Sequence, residues 1–519
     1  MCEIERRVKQ LIGLVPCACL TLALSACANP LRGEATPEPA LVPTRTPVSR
    51  QEQSARARAL STPTPRPNAA EGATAEARPV RSTPEVATRY ATCRTVKPAV
   101  GRIAPRPSNV EGRIVFVTTD NNIAVTDPSG RNVTPITSDA FVSESRQAWR
   151  IYQFPAFSDD GRFIAFVSLN TLENFNGVTI TVHVAPISGA TITDLYSTSE
   201  WSIPYVDWSP DGRQVAFLTI KASDGAIRVA PREGGEVTIL DVGSPTYWHW
   251  RADSRAMVTH LGGRATVKGR ANVSIIEVEG TVKGTQTIIE ELPGAFQSPH
   301  WSPDGRYVLF VAYTDGRDEL VLADAAGKPL CTLSVVEGSA YFAWSPDGRY
   351  VAVLDTAPSP QGILLPAPLT VYDLAAGTSK VLHEEATMFF WSPDGERLAV
   401  YSIVPDTTIT PLGASAGKPS ALLAQTRSPA LRIEVVEVAT GARIKVADTF
   451  PTRQFIRYFL YFDQYSRAVT PWSPDGRRLV LASVSPTRET ADIAVATLGA
   501  GGVSLNRIAA GTLAFWSSR

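Results

Sequence analysis

The sequence predicts an all-β fold: a closed β-propeller of four-stranded antiparallel blades, preceded by a leader with no packed core. Three observations predict it. A turn motif recurs along residues 111–519 at blade spacing, an alternating apolar strand follows each copy, and the two ends of the region carry complementary halves of one motif. The chain has 519 residues, 44% of them hydrophobic, which is ample for a core. Its zero net charge hides an asymmetry: residues 1–111 carry 16 Lys and Arg against 9 Asp and Glu. The repeat region is therefore mildly acidic, which speaks against a nucleic-acid partner.

The leader comes first. Arg6, Arg7 and Lys9 precede an apolar run from Leu11 to Ala26, the layout of an export signal over residues 1–26. The run is short for a permanent membrane span. It ends Leu24-Ser25-Ala26-Cys27. That tetrad resembles the bacterial lipobox, and the resemblance implies lipid attachment at Cys27 with cleavage before it. Exported, the protein would be held by that anchor on the outer face of the cytoplasmic membrane or on the outer membrane. Residues 28–110 hold thirteen prolines and one aromatic, Tyr90. A stretch so poor in apolar side chains cannot offset its ordering entropy, so residues 27–110 read as a linker with polyproline character. Cys93 and Cys331 are the mature cysteines besides Cys27. Outside the cytosol they have two readings, a bridge pinning the end of the linker or two separate thiols.

The repeat decides the fold. Trp208-Ser209-Pro210-Asp211-Gly212-Arg213 is followed by Val215-Ala216-Phe217. Trp-Ser-Pro-Asp-Gly returns at Trp301 (Asp304, Gly305), Trp344 (Asp347, Gly348), Trp391 (Asp394, Gly395) and Trp472 (Asp475, Gly476). Phe157-Ser158-Asp159-Asp160-Gly161 is a variant and Trp250-Arg251-Ala252-Asp253-Ser254 a degraded copy. In the turn Ser accepts at the first position, Pro presets φ at the second, and Gly takes the left-handed position that reverses the chain. The aromatic ends the preceding strand and fills the wedge between blades. The aspartates read as turn formers rather than calcium ligands.

Successive aromatics are 51, 42, 51, 43, 47, 81 and 44 residues apart. The 81-residue interval reads as one blade with two insertions, a Pro/Thr/Ala/Ser-rich loop near 404–429 and an aromatic segment at 450–465. The region opens at Gly112 and closes at Phe515-Trp516-Ser517, so the last strand completes the first blade and removes the open sheet edge. Eight blades are expected, with seven the alternative because the Trp250 copy is degraded.

These Trp-Ser-Pro-Asp-Gly units resemble the PD40 (WD40-like) repeats of TolB-type propellers. The resemblance implies a β-propeller and leaves function to the site. Loops at a propeller mouth suit a scaffold or sensor for an envelope protein, peptide or glycan, with no cofactor and no enzymatic step. Tyr458, Tyr461 and Phe462 of the aromatic segment are candidate ligand contacts; the alternative is packing over a blade edge. The competing reading is a metal-dependent polysaccharide lyase or hydrolase at the channel mouth. For that role His249 and His300, each one residue before a motif tryptophan, are the metal candidates, and no third ligand presents itself. Gly413-Ala414-Ser415-Ala416-Gly417 matches a nucleophile-elbow pattern, but no strand leads into it and no helix follows.

Overall fold

A computed structural model describes residues 90–93 and, with internal interruptions of which 405–429 is the longest, residues 111–518. The export signal, Cys27, most of the linker, Tyr461 and the Gly413–Gly417 pattern lie outside the described residues.

Each motif turn forms as its residue types dictate. In the Trp208 copy the Gly212 amide donates to the Ser209 carbonyl at 2.8 Å. The Ser209 hydroxyl donates to Asp211 at 2.6 Å and accepts from the Gln214 amide at 3.0 Å. Asp211 also accepts from the Arg213 amide at 3.1 Å. The motif glycines 212, 305, 348, 395 and 476 all have φ between 65° and 74°, where a Cβ is strained. In the degraded copy Ser254 occupies the same region, at φ 63°.

In the four-stranded sheets the motif turn joins the first two strands, and the sheets follow one another in chain order. Five are four-stranded: Ser202–Val242, Thr246–Ile288, His300–Val336, Ser339–Ala386 and Met388–Thr449. A five-stranded sheet spans Phe141–Thr198. The seventh sheet is six-stranded, because the 15-residue strand Gly502–Trp516 belongs to two repeat units. Its first part pairs with Ala491–Gly499, and its last part pairs with Ile114–Thr118 in the register Ile114↔Trp516 and Phe116↔Ala514.

By hydrogen-bonded sheets the propeller is therefore seven-bladed, where the repeat count favoured eight. The degraded Trp250 copy is not the cause, since it has a four-stranded sheet of its own. The merger lies at the seam, where one unbroken strand makes a single sheet of the Trp472 unit and the Ile114 unit. The seam also completes a motif turn from two ends of the chain. Ser517 donates its amide to the Arg113 carbonyl and accepts from the Arg113 amide at its hydroxyl, both at 2.8 Å. The 81-residue interval resolves as one sheet followed by helices.

The motif aromatics fill the wedges between units. Trp301, Trp472 and Trp516 are fully buried. The Trp208 indole donates to the Ala156 carbonyl, Trp391 to Ala343 and Trp472 to Phe390, at 3.0–3.2 Å. Each of these acceptors immediately precedes the motif aromatic of the preceding unit. Arg397 and Arg478 then cover the Trp472 and Trp516 rings of the units that follow them.

Within the stretch read as linker, residues 90–93 are docked on the propeller. Thr92 bridges Thr332 in parallel. The Cys93 amide donates to the Thr332 carbonyl, and the Thr332 amide to Ala91, each at 3.0 Å. Cys93 and Cys331 are disulfide-bonded and buried, which decides between the two readings of that pair. The Tyr90 hydroxyl donates to Glu291, so this strap touches two neighbouring units.

Candidate functional site

The described residues of the aromatic insertion pack inside the ring. The insertion forms two short helices, α1 (Arg453–Phe459) and α2 (Phe462–Ala468), that enter the ring and touch its inner strands. Thr452 caps α1 by accepting from the Phe455 amide at 3.1 Å. Arg457 reaches Gln153 at 3.0 Å, and the Tyr465 hydroxyl donates to the Pro204 carbonyl. The Phe462 ring lies 5.3 Å from both Tyr341 and Phe389. Tyr458 and Phe462 are 5% and 1% exposed, so both are taken up in packing, the alternative to ligand contact. Clustered aromatics here mark burial inside the channel rather than an exposed patch.

Gln464 shows why the helices sit there. In the strand Thr246–Trp250, Trp248 faces Thr259 of the next strand, and its backbone groups also meet the Gln464 side chain. The side-chain amide accepts from the Trp248 amide at 3.3 Å and donates to its carbonyl at 3.1 Å, standing in for a further strand. Ser298 adds a donor to the same amide at 3.0 Å, and the Tyr205 hydroxyl donates to the Gln464 carbonyl at 3.0 Å.

With the helices in place the channel becomes a cavity of about 490 Å³. Ser466, Ala468, Val469 and Thr470 line it together with the turn prolines 210, 303, 346, 393 and 474. A volume of that size is ordinary for a small-ligand site. The motif tryptophans Trp208, Trp301, Trp344, Trp391, Trp472 and Trp516 all contribute to the wall.

The position just before each motif aromatic breaks the symmetry of this wall. Three consecutive units place Asp207, His249 and His300 there; the next two place Ala343 and Phe390. The two imidazoles meet edge to face with centroids 4.2 Å apart, as their shared offset suggested. The Trp301 amide donates to His249 Nδ1 at 2.9 Å. That bond uses the Nδ1 lone pair, so the ring proton sits on Nε2, and no lone pair remains there for a metal while the bond persists. Among the described residues no group of three or more His, Cys, Asp or Glu side chains is arranged to hold a metal ion. Asp207 escaped the sequence reading, although the same offset from Trp208 marks it.

Elsewhere, Ser168, His183 and Asp194 form a hydrogen-bonded chain across three strands, with both contacts at 2.7 Å. Ser168 and His183 are buried while the Asp194 side chain is exposed, the reverse of what a nucleophilic serine requires. This chain ties strands together.

No family model matches the chain. The uncharacterized protein Atu1656 of Agrobacterium fabrum (strain C58 / ATCC 33970) is 27% identical over 114 residues, 22% of this chain. The match spans 36% of that relative's length. Among solved structures the chain is similar to TolB from Acinetobacter baumannii, at 13% identity and a TM-score of 0.32, over 67% of this chain and 81% of that one. It is also similar to an oligogalacturonate lyase in complex with manganese, at 14% identity and a TM-score of 0.44, over 70% of this chain and 97% of that one.

Proposed function

We propose that this protein is an exported, lipid-anchored binding scaffold of the cell envelope, and that its ligand enters the cavity between the motif turns. The observation that carries the reading is the cavity itself: about 490 Å³, walled by inner strands of successive units and stopped by α2. A repeated wall with one polar sector is a recognition surface. The Trp301–His249 bond favours binding over metal-assisted cleavage, because it engages the imidazole lone pair that a metal would need.

The test compares the wild-type chain with Ala343→Trp, which places a large ring in the cavity, as baits for envelope extract. Loss of a stoichiometric ligand with Ala343→Trp, and its retention with a distant rim variant such as Lys221→Ala, is the expected result. Equal capture by all three would remove the cavity from the function. For the anchor, Cys27→Ser is expected to move the protein from the membrane to the soluble fraction; an unchanged distribution would refute lipidation there.

A further inference from the structure

Away from the cavity, one guanidinium is held in place with no acid beside it. Arg228 lies on the strand Asp224–Pro231, next to the outer strand Thr238–Val242 of the Trp208 unit. Its head sits 5.1 Å from the ring centroid of Tyr196, on the outer strand of the preceding unit. It sits 5.8 Å from that of Trp201, in the loop between the two units. Its Nε donates to the Thr219 hydroxyl at 3.1 Å, and that hydroxyl donates on to the Ala226 carbonyl at 3.3 Å. Two rings and one hydrogen bond therefore fix the fork. Among the described residues the terminal nitrogens of Arg228 meet no acceptor and no carboxylate. Glu200, beside Trp201, is taken by Lys221 at 2.8 Å. The Tyr196 hydroxyl and the Trp201 indole N–H have no hydrogen-bond partner among the described residues either, and all three side chains belong to half-buried residues. Ile239, directly across the strand pair from Arg228, is 50% exposed.

We propose that Arg228, Trp201 and Tyr196 form a second binding site, separate from the cavity, for a carboxylate carried on an apolar stem. The carboxylate oxygens accept from the unpaired end of the Arg228 fork, with the Trp201 N–H and the Tyr196 hydroxyl as neighbouring donors. The stem lies against Ile239. A guanidinium matches a planar carboxylate with two parallel hydrogen bonds, and its single charge balances a monoanion. A phosphate dianion would keep one charge unmatched, because Lys221 is already paired with Glu200. A polar stem would lose water against Ile239 and gain no hydrogen bond in return. Two sources share this chemistry: the C-terminus of a peptide ending in an apolar residue, and a free aliphatic acid.

The experiment titrates the full-length chain by calorimetry with hexanoate, with N-acetyl-alanyl-leucine, with the amide of that dipeptide and with galacturonate. The expected result is saturable binding of hexanoate or of the free-acid dipeptide, and none of the amide. Binding of the dipeptide alone identifies a peptide C-terminus as the source, and binding of hexanoate alone a free acid. Arg228→Lys keeps the charge and loses the fork, and Arg228→Gln loses both. Each should weaken binding roughly tenfold or more, the range for a lost hydrogen bond to a charged group. Ile239→Glu changes an exposed residue, so the fold is spared and an unchanged melting temperature checks it. It sets a carboxylate of the protein's own across from Arg228 and should abolish binding. Equal binding of acid and amide overturns the assignment, as does a preference for galacturonate over both apolar acids. Binding that survives Arg228→Gln or Ile239→Glu overturns it too, because the ligand then sits elsewhere. No binding of either apolar acid likewise overturns it.

Discussion

A single serine and a single aspartate hold each intact repeat turn, and their environment sets how the protein responds to acid. In Asp160, Asp304, Asp394 and Asp475 burial opposes ionisation, yet the serine hydroxyl and the following backbone amide outweigh it and hold the carboxyl below its ordinary range. His260 behaves in the opposite sense: complete burial pushes its imidazole down to about 4, against a partial counter-effect from Gln297. The signs follow from linkage. Below pH 6.5 the unfolded chain takes up a proton that folded His260 refuses, so stability is full above 6.5 and falls toward pH 4. The turn aspartates contribute stability that is present above their unfolded range and lost as pH falls through their lowered values. Denaturant midpoints measured from pH 7 to pH 3 should show two declines, the upper on the order of 3 kcal/mol. His260→Gln should flatten the upper decline and spare the lower one. A level curve between pH 7 and 4.5 would show that His260 is not buried neutral.

At the scale of elements, α1 and α2 depend on one amide. Replacing Gln464 with Leu leaves the Trp248 amide and carbonyl without that partner inside the ring. The cost should be about 2–3 kcal/mol in chemical denaturation, accompanied by faster proteolysis within residues 450–470. Unchanged stability would mean that water replaces the side chain without loss. The turns and strands were legible in the sequence because their causes are local: Pro210 and Gly212 preset the backbone, and alternation places Val215 and Phe217 on one face. The helices were not legible. Phe455, Tyr458 and Phe462 announce that the segment buries apolar surface, but only the ring provides the place where they do so. Likewise His249 and His300 were visible through their offset from a tryptophan, whereas their edge-to-face contact arises from the closure of neighbouring units.

For the whole molecule, the order of units around the ring was readable and the number of sheets was not. Two motifs 44 residues apart look like two blades; that Gly502–Trp516 runs unbroken through both depends on pairings with Ala491–Gly499 and Ile114–Thr118, which lie far apart in the chain. The Cys93–Cys331 bond closes a span of 238 residues. Cross-linking so long a span restricts the unfolded chain strongly, and reduction should cost about 2–5 kcal/mol. Thiol titration under denaturing conditions should find Cys93 and Cys331 unreactive before reduction and reactive after it. Reactivity of both without reductant would disprove the bond.

The position of that bond has a mechanical consequence. Counted around the ring, the strap at residues 90–93 sits on the Trp301 unit, four units from the seam at Ile114 and Trp516. A pull on the chain ahead of Tyr90 therefore arrives at Cys331, on the far rim, and the strand that closes the ring bears none of it directly. The clasp and the hook are separate, so the propeller can be held under tension without being unzipped.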